Sequence, residues 1–313
     1  MLGFQDRAPL SGSAACIVGR DPIRSVDYWG LGHSANNNST KLREVALPMR
    51  PVTTLLTRLR NQLLPVAQGT ERADVAHSIT ATPSRDSAAP KDFSALENEL
   101  QTIRKTSAAL GQFSWTSDDY QRDLLHFIFE NRGKGAGVVE VGTYKGGLTA
   151  QLALVCARLG WPLWSLDIDS SFAALAADLV KRVGLAESVS LYLGGLESFA
   201  QTVKLAHPPV LVILDGDHRY QAVMQDIRSV YQLPLHPHAV AFHDYSLRHP
   251  TSGERVSEAI ADSFGNVPVR PIGAQMDGSG PYPTKEKPSA DGHWWEVPGS
   301  EGAIVELPPR LKG

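Results

Sequence analysis

The 313-residue sequence has two cysteines, no long run of basic residues, and no apolar stretch of the roughly 18 residues that a membrane span needs. Each absence excludes something. Cys16 and Cys156 stand in dissimilar contexts, so they build neither a disulfide framework nor a thiolate metal site, and a reducing, cytoplasmic setting is expected. A formal net charge of -3 without a basic block leaves no electrostatic footprint for nucleic acid. "MLGFQDRAPLSGSAACIVG" holds no continuous apolar segment of the signal-peptide kind, and Asp6, Asp21 and Asp27 count against a transit peptide. What is present is a chain that is 42% hydrophobic and long enough to bury one sizeable core plus extras.

Its texture changes twice. Residues 1–90 shift between polar ("SANNNST") and small, Pro-containing ("ITATPSRDSAAPKD") stretches without a hydrophobic period, and read as a largely irregular extension. One short amphipathic helix is expected there, in "VTTLLTRLRNQLLPVA", where Leu55, Leu56, Leu59, Leu63 and Leu64 recur at helical spacing opposite Arg58 and Arg60. Residues 91–134 read as a helical lead-in. "DFSALENELQTIRKTSAALG" has an Asp near its start and Gly111 as its stop, and "TSDDYQRDLLHFIFENRG" opens on a Thr/Ser cap followed by acids that suit the helix dipole.

From 135 to 309 short apolar runs alternate with helical segments: "GVVEVG", "PLWSLDID", "VSLYLGG", "PVLVILDGD" and "HAVAFHDY" are predicted strands with helices between them. That alternation predicts an α/β, doubly wound, Rossmann-like fold, its mostly parallel sheet covered on both faces and its strand C-termini on one ligand-binding edge. "VPVRPIGAQ", "DGHWWEVPG" and "AIVELP" are expected to form an antiparallel end of the sheet, with Trp294 and Trp295 as packing residues. "MDGSGPYPTKEKPSADG" reads as a loop able to cover the site.

Two motifs lie on the predicted edge. In "VVEVGTYKGGLTA", Gly142 permits a tight turn and Gly146 and Gly147 open a helix, with spacing G-x-x-x-G-G rather than the G-x-G-x-x-G of dinucleotide binders. Asp167 of "LWSLDID" ends the next strand, where a carboxylate can accept both hydroxyls of a ribose, whereas Asp169 reads as a helix N-cap.

The series "EVGTYKGGLT", "LDID", "ILDGDHRY", "FHDY" resembles the class I S-adenosylmethionine-dependent methyltransferases, most of all a small-molecule O-methyltransferase group with a "DGDHxY" motif. The likeness runs over about residues 135–264. It implies a seven-stranded sheet and S-adenosylmethionine as cofactor, with Glu140, Gly142, Thr143 and Tyr144 around its methionine part, Asp167 on its ribose, and Gly195 and Leu196 beside its adenine. It also implies Asp215 and Asp244 as ligands of Mg²⁺ or another divalent cation. Tyr245 stands where metal-dependent relatives carry an Asn ligand, and neighbouring histidines admit a softer ion. His218 takes the place of the lysine that deprotonates the acceptor, so His218 and Asp215 are the expected catalytic pair.

Asp217 is expected to cap the following helix, and strand alternation is expected to turn His243 away from Asp244's face. The acceptor implied is a hydroxyl of a small molecule, a sugar or natural-product intermediate. Neither nucleic acid nor a membrane span is expected, and a homo-oligomer is left open. The rival readings are a nicotinamide-dependent oxidoreductase on a similar sheet, against which the absent G-x-G-x-x-G argues, and a non-catalytic cofactor-binding or interaction module.

Overall fold

The lead-in is set by its caps. Asp92 accepts the backbone N–H of Ser94 and opens a 3₁₀ turn that runs into helix α1 (Glu97–Leu110), which stops at Gly111 in the left-handed conformation. Ser117 accepts the N–H of Tyr120 and caps α2 (Asp118–Glu130), with Asp118 and Asp119 against the positive end of the helix. The structure, a computed structural model, describes residues 17–18 and 90–308. The rest of the expected irregular extension, and the helix expected in "VTTLLTRLRNQLLPVA", lie outside the described residues.

Strands and helices then follow in chain order. They are β1 (Ile17–Val18), β2 (Val138–Val141), α3 (Gly147–Leu159), β3 (Leu163–Asp167), α4 (Ser170–Arg182), β4 (Val189–Leu193) and α5 (Leu196–Thr202). After these come β5 (Leu211–Leu214), α6 (Tyr220–Gln232), β6 (Ala239–Phe242), β7 (Leu247–Arg248), α7 (Val256–Phe264), β8 (Val269–Met276), β9 (Trp294–Trp295) and β10 (Gly299–Glu306). The main sheet has the order β1-β4-β3-β2-β5-β6-β10-β8. Seven of these strands make the expected mixed sheet, and Ile17–Val18 adds an eighth beside β4. The pairings of β10 with β6 and β8 are antiparallel, and the other pairings in this sheet are parallel.

The strand order reverses at β2, which lies between β3 and β5. A parallel sheet of this kind opens a crevice at that reversal, outside the strand C-termini. Here the crevice is tight: the N–H of Asp215 donates to the carbonyl of Val141, and a Cβ on Gly142 would lie 2.0 Å from the Asp215 carbonyl oxygen. With φ at +95° as well, position 142 admits no side chain.

Both faces of the sheet are covered. Val138 packs with Leu124, Phe127 and Leu152 on one side, and Val139 and Val141 with Phe199, Ile227 and Val240 on the other. The alternation therefore places Glu140 on the Val138 side, under α3, in a core where a charged group needs partners.

One expectation is corrected. Trp294 and Trp295 do not join the antiparallel end of the main sheet, which β8 and β10 form alone; they pair with Leu247 and Arg248 in a separate two-stranded ribbon. Arg248 holds that ribbon, donating to Glu296 and Ser257 from a buried position. The Gly/Pro-rich loop that follows β8 is tied back by His293, which lies 3.5 Å from Glu254, and by His249, 2.8 Å from the Asp291 carbonyl oxygen.

The packing of α2 on β10 is testable. A Cβ at Gly302 would come within 2.2 Å of the Tyr120 ring and 2.7 Å of the Phe242 carbonyl oxygen, whereas one at Gly133 meets nothing within 4 Å. Gly302→Ala is expected to destabilise the fold by about 1–3 kcal/mol, read as a lower melting temperature, while Gly133→Ala stays within about 0.5 kcal/mol of the parent.

Candidate active site

The first-strand loop is built around Asp167. Its Oδ2 accepts the backbone N–H of Tyr144 at 2.9 Å and its Oδ1 that of Asp169 at 2.9 Å, while the carbonyl of Leu166 takes the N–H groups of Gly142 and Thr143. Tyr144 pays for this contact with a φ of +47°, a left-handed conformation uncommon outside glycine. Burial raises the Asp167 pKa, and the nearby charge of Asp169 adds to it against the backbone hydrogen bonds. Asp169 caps α4 as expected, accepting from the Ser171 N–H.

Beneath the loop lies a polar chain. The carboxylate of Glu140 is 1% exposed and accepts from Ser165 Oγ at 2.6 Å and Thr149 Oγ1 at 2.7 Å, and Ser165 Oγ lies 2.7 Å from Thr143 Oγ1. Glu140 and Ser165 are register partners on adjacent parallel strands, so this chain follows from the pairing itself. Of the residues expected around a cofactor, Gly142, Tyr144, Asp167 and Gly195 are partly open to solvent, and Glu140, Thr143 and Leu196 are buried behind them.

The second part of the site lies at the ends of β5 and β6. Asp215, His218 and Asp244 converge, with His218 Nε2 3.5 Å from Asp244 Oδ2 and 4.0 Å from Asp215 Oδ1. His243 joins them, correcting the expectation that it points away. The strand ends at Phe242 and Asp244 takes a φ of +55°, so the alternation stops one residue early and both side chains turn to the same place. His243 Nδ1 lies 2.9 Å from Asp215 Oδ1 and 3.4 Å from Asp244 Oδ1, and Asp215, His218 and His243 each bring a ligand-type atom within 4.8 Å of the others'.

Asp217 is also corrected. Its carboxylate accepts the backbone and guanidinium N–H groups of Arg219, but Arg219 itself is the cap position of α6 and Asp217 lies outside it. The three polar residues of "DGDH" therefore separate: Asp215 and His218 face the cluster and Asp217 closes a local turn.

Four participants escaped the sequence reading. Glu301 on β10 lies 3.3 Å from His243 Nε2 and accepts the N–H groups of Ser117 and Ala274 and the Ser117 hydroxyl. Burial opposes its ionisation, and these hydrogen bonds outweigh burial, lowering its pKa. Burial likewise opposes charge on His243, yet Asp215 and Asp244 hold its pKa well above the ordinary value. Tyr120 is fully buried with its ring edge-on to His243, centroids 4.9 Å apart, and burial together with Asp215 and Glu301 pushes its pKa up. Trp115 is 76% exposed but fixed, its indole N–H donating to the Tyr144 hydroxyl at 2.7 Å. Lys145 lies over the rings of Tyr144 and Phe113. The only sequence signals for these were aromatic residues in the lead-in and a glutamate in the last strand.

With this geometry in view, comparison with known proteins is informative. Residues 139–245 match the family model described as "Methyltransferase domain". The matched segment begins inside β2 and ends just after Asp244, so it contains the Gly142 loop, Asp167, Asp215 and His218. Similar solved structures include an O-methyltransferase from Bacillus cereus in complex with SAH, 18% identical, covering 70% of this chain and 92% of that one with a TM-score of 0.46. Another is the O-methyltransferase TomG from Streptomyces achromogenes, involved in tomaymycin synthesis and solved with SAM, 17% identical over 70% and 92% of the two chains with a TM-score of 0.45. No curated protein sequence matches the chain. Among the described residues, no helix is long and apolar enough to cross a membrane.

Glu140 gives a pH test. Burial raises its pKa to about 8, against an unfolded value near 4.5. The folded state thus holds a proton that the unfolded chain releases, so this stabilising contribution is complete below pH 4.5 and is lost as pH rises through 8. Its size is on the order of a few kcal/mol. Denaturant midpoints measured from pH 4.5 to 9 are expected to fall for the parent and to fall less for Glu140→Gln, which keeps the shape without the titrating proton.

Proposed function

We propose that the protein transfers a methyl group from S-adenosylmethionine to a hydroxyl of a small molecule, of the sugar or natural-product kind, with His218 as the base. The observation that carries this is the match to a methyltransferase domain over the segment that holds both halves of the site.

The residues present fit the cofactor. Asp167 is a half-buried carboxylate at the end of β3 whose two oxygens each accept one backbone N–H, leaving a further lone pair on each for a ribose hydroxyl. The space where a side chain would begin at Gly195 is open, as the rim of an adenine site requires. The loop Gly142–Tyr144 would border the methionine part, and the buried Glu140 supports that loop through Ser165 and Thr143. S-adenosylmethionine, when bound, supplies an electrophilic methyl group on a sulfonium.

Everything else falls to the chain. His218, with its side chain 24% exposed, sits at the mouth of the cluster, where an acceptor hydroxyl can reach its imidazole. It takes the proton of the acceptor as the oxygen is alkylated, and Asp244, 3.5 Å away, stabilises the imidazolium that results. Asp215 and Asp244 are the carboxylates that would hold a divalent cation, and Asp215, His218 and His243 bring ligand-type atoms within 4.8 Å of one another. Such an ion would supply positive charge that favours ionisation of the acceptor. Holding donor and acceptor in line accounts for most of the expected acceleration, and the buried Tyr120 closes the cluster behind His243.

Calorimetry with S-adenosylhomocysteine tests the foundation. Binding is expected to be lost in Asp167→Ala and kept in Asp169→Ala; a folded parent that does not bind sinks the proposal. With an acceptor found by a search for products heavier by one methylene, His218→Ala is expected to lower kcat by about 10²–10⁴-fold at neutral pH while S-adenosylhomocysteine binding is unchanged.

A further inference from the structure

The segment that joins α1 to α2, residues 111–117, is fixed along its length. The carbonyl of Gln112 takes the Ser107 hydroxyl, and the Gln112 side-chain amide donates to the Leu175 carbonyl at 2.9 Å. Ser114 Oγ lies 2.8 Å from Thr116 Oγ1, and the Thr116 carbonyl takes the Gln121 amide at 2.9 Å. A Cβ at Gly147 would collide with the Ser114 nitrogen, so the segment is pressed onto the start of α3. Gln112 and Thr116 are buried, yet Phe113 and Trp115 project outward, 48% and 76% exposed. Trp115 is not loose in solvent: its indole N–H donates to the Tyr144 hydroxyl at 2.7 Å, with the two rings edge-on. A large aromatic held out in water on a rigid frame marks a surface where a ligand supplies the burial.

Its place in the site is fixed from both sides. Tyr144 belongs to the Gly142 loop that Asp167 holds. Ser117, two residues beyond Trp115, donates to Glu301, which lies 3.3 Å from His243 Nε2. Trp115 therefore stands on the stretch that runs from the cofactor loop to the cluster holding His218. On the Asp167 side, exposed Ile168 and Phe172, whose ring centroid is 4.7 Å from that of Tyr144, continue an apolar rim. Phe113 and Tyr144 carry the Lys145 ammonium over their rings; among the described residues no cation lies over Trp115 and no ring stacks on it. Aromatic rings attract one another in offset stacks, and a rim of aromatic and aliphatic groups suits a flat unsaturated ring better than the many hydroxyls of a sugar.

We infer that Trp115 is a specificity-determining residue, the platform on which the ring of a hydroxylated aromatic acceptor stacks. This rests on the methyl-transfer reading above and narrows its acceptor to the flat, unsaturated kind. The hydrogen bond to Tyr144 sets the angle of the platform, so donor loop and acceptor surface are oriented as one piece.

The test uses the full chain with ¹⁵N-labelled indoles, in which the Trp115 N–H signal is the one missing from Trp115→Phe. Phenol and naphthol are titrated beside their saturated counterparts, cyclohexanol and decahydronaphthol, and beside methyl glucoside, each with and without S-adenosylhomocysteine. The aromatic alcohols are expected to move the Trp115 signal upfield and to bind about 5–10-fold more tightly than the saturated ones. Trp115→Ala is expected to weaken naphthol binding by about 5–10-fold, with part of the loss restored in Trp115→Phe, while S-adenosylhomocysteine binding is unchanged. The side chain is exposed, so both variants are expected to fold. The inference is overturned if no aromatic alcohol moves the Trp115 signal, if the saturated alcohols or the glucoside bind as tightly, or if naphthol binding survives Trp115→Ala intact. Loss of S-adenosylhomocysteine binding in Trp115→Ala overturns it too, because Trp115 would then be a cover for the cofactor. Failure of the parent to bind S-adenosylhomocysteine tells against the methyl-transfer reading, and the titrations without it still decide whether Trp115 is a platform.

Discussion

Three carboxylates, Asp215, Asp244 and Glu301, surround the single buried imidazole of His243 at 2.9 to 3.4 Å, and the charge balance of that group governs the edge of the sheet where the strands end. Like charges this close, in a place water hardly reaches, are costly unless positive charge or donors offset them. The donors come from every side: the capping residue of α2, the backbone of β8, and the imidazole between β5 and β6. One cluster therefore ties the lead-in helix to the ends of β5 and β6 and to the β10–β8 edge of the sheet. Removing a single carboxylate leaves its partners unbalanced, which is why the cluster has to be treated as a unit and not as separate residues.

The backbone accepts local strain to assemble it. Tyr144 and Asp244 both hold positive φ values, one under the Asp167 loop and one at the end of β6, and both lie beside residues assigned to the site. At Gly142 the chain passes so near Asp215 that even a methyl group is excluded. Such positions persist because the parallel ladder and the two covered faces of the sheet fix the strands independently of what happens at their ends.

Much of this was legible in the sequence. Alternating apolar runs and helical segments gave the sheet, the caps at Asp92, Ser117 and Asp169 were readable from residue type, and Asp167, Asp215, His218 and Asp244 could be placed because each ends or follows a strand. What failed did so for physical reasons. His243 was misplaced because strand alternation was extended through Asp244, where a left-handed residue ends it. Glu301 carries no local signal: the antiparallel end of the sheet was legible, but its last strand was read from Ala303, and Glu301 reaches the site only because β10 starts earlier, at Gly299, and lies between β6 and β8. The burial of Glu140 needed the knowledge that α3 lays Thr149 against that face of β2.

The two histidines then divide the chemistry by burial. A group that must exchange a proton with an acceptor and afterwards with solvent needs access, which His218 has and His243, behind the Tyr120 ring, has not. A group that must hold charge in place needs the reverse: a ring locked on both edges, as His243 is between Glu301 and the two aspartates. Under the proposed methyl transfer, the sealed histidine sets the electrostatics of the site and the open one moves the proton. Exchanging their surroundings would disable both roles, because a base without access cannot turn over and an imidazole exposed to water loses the orientation that Glu301 and the two aspartates impose.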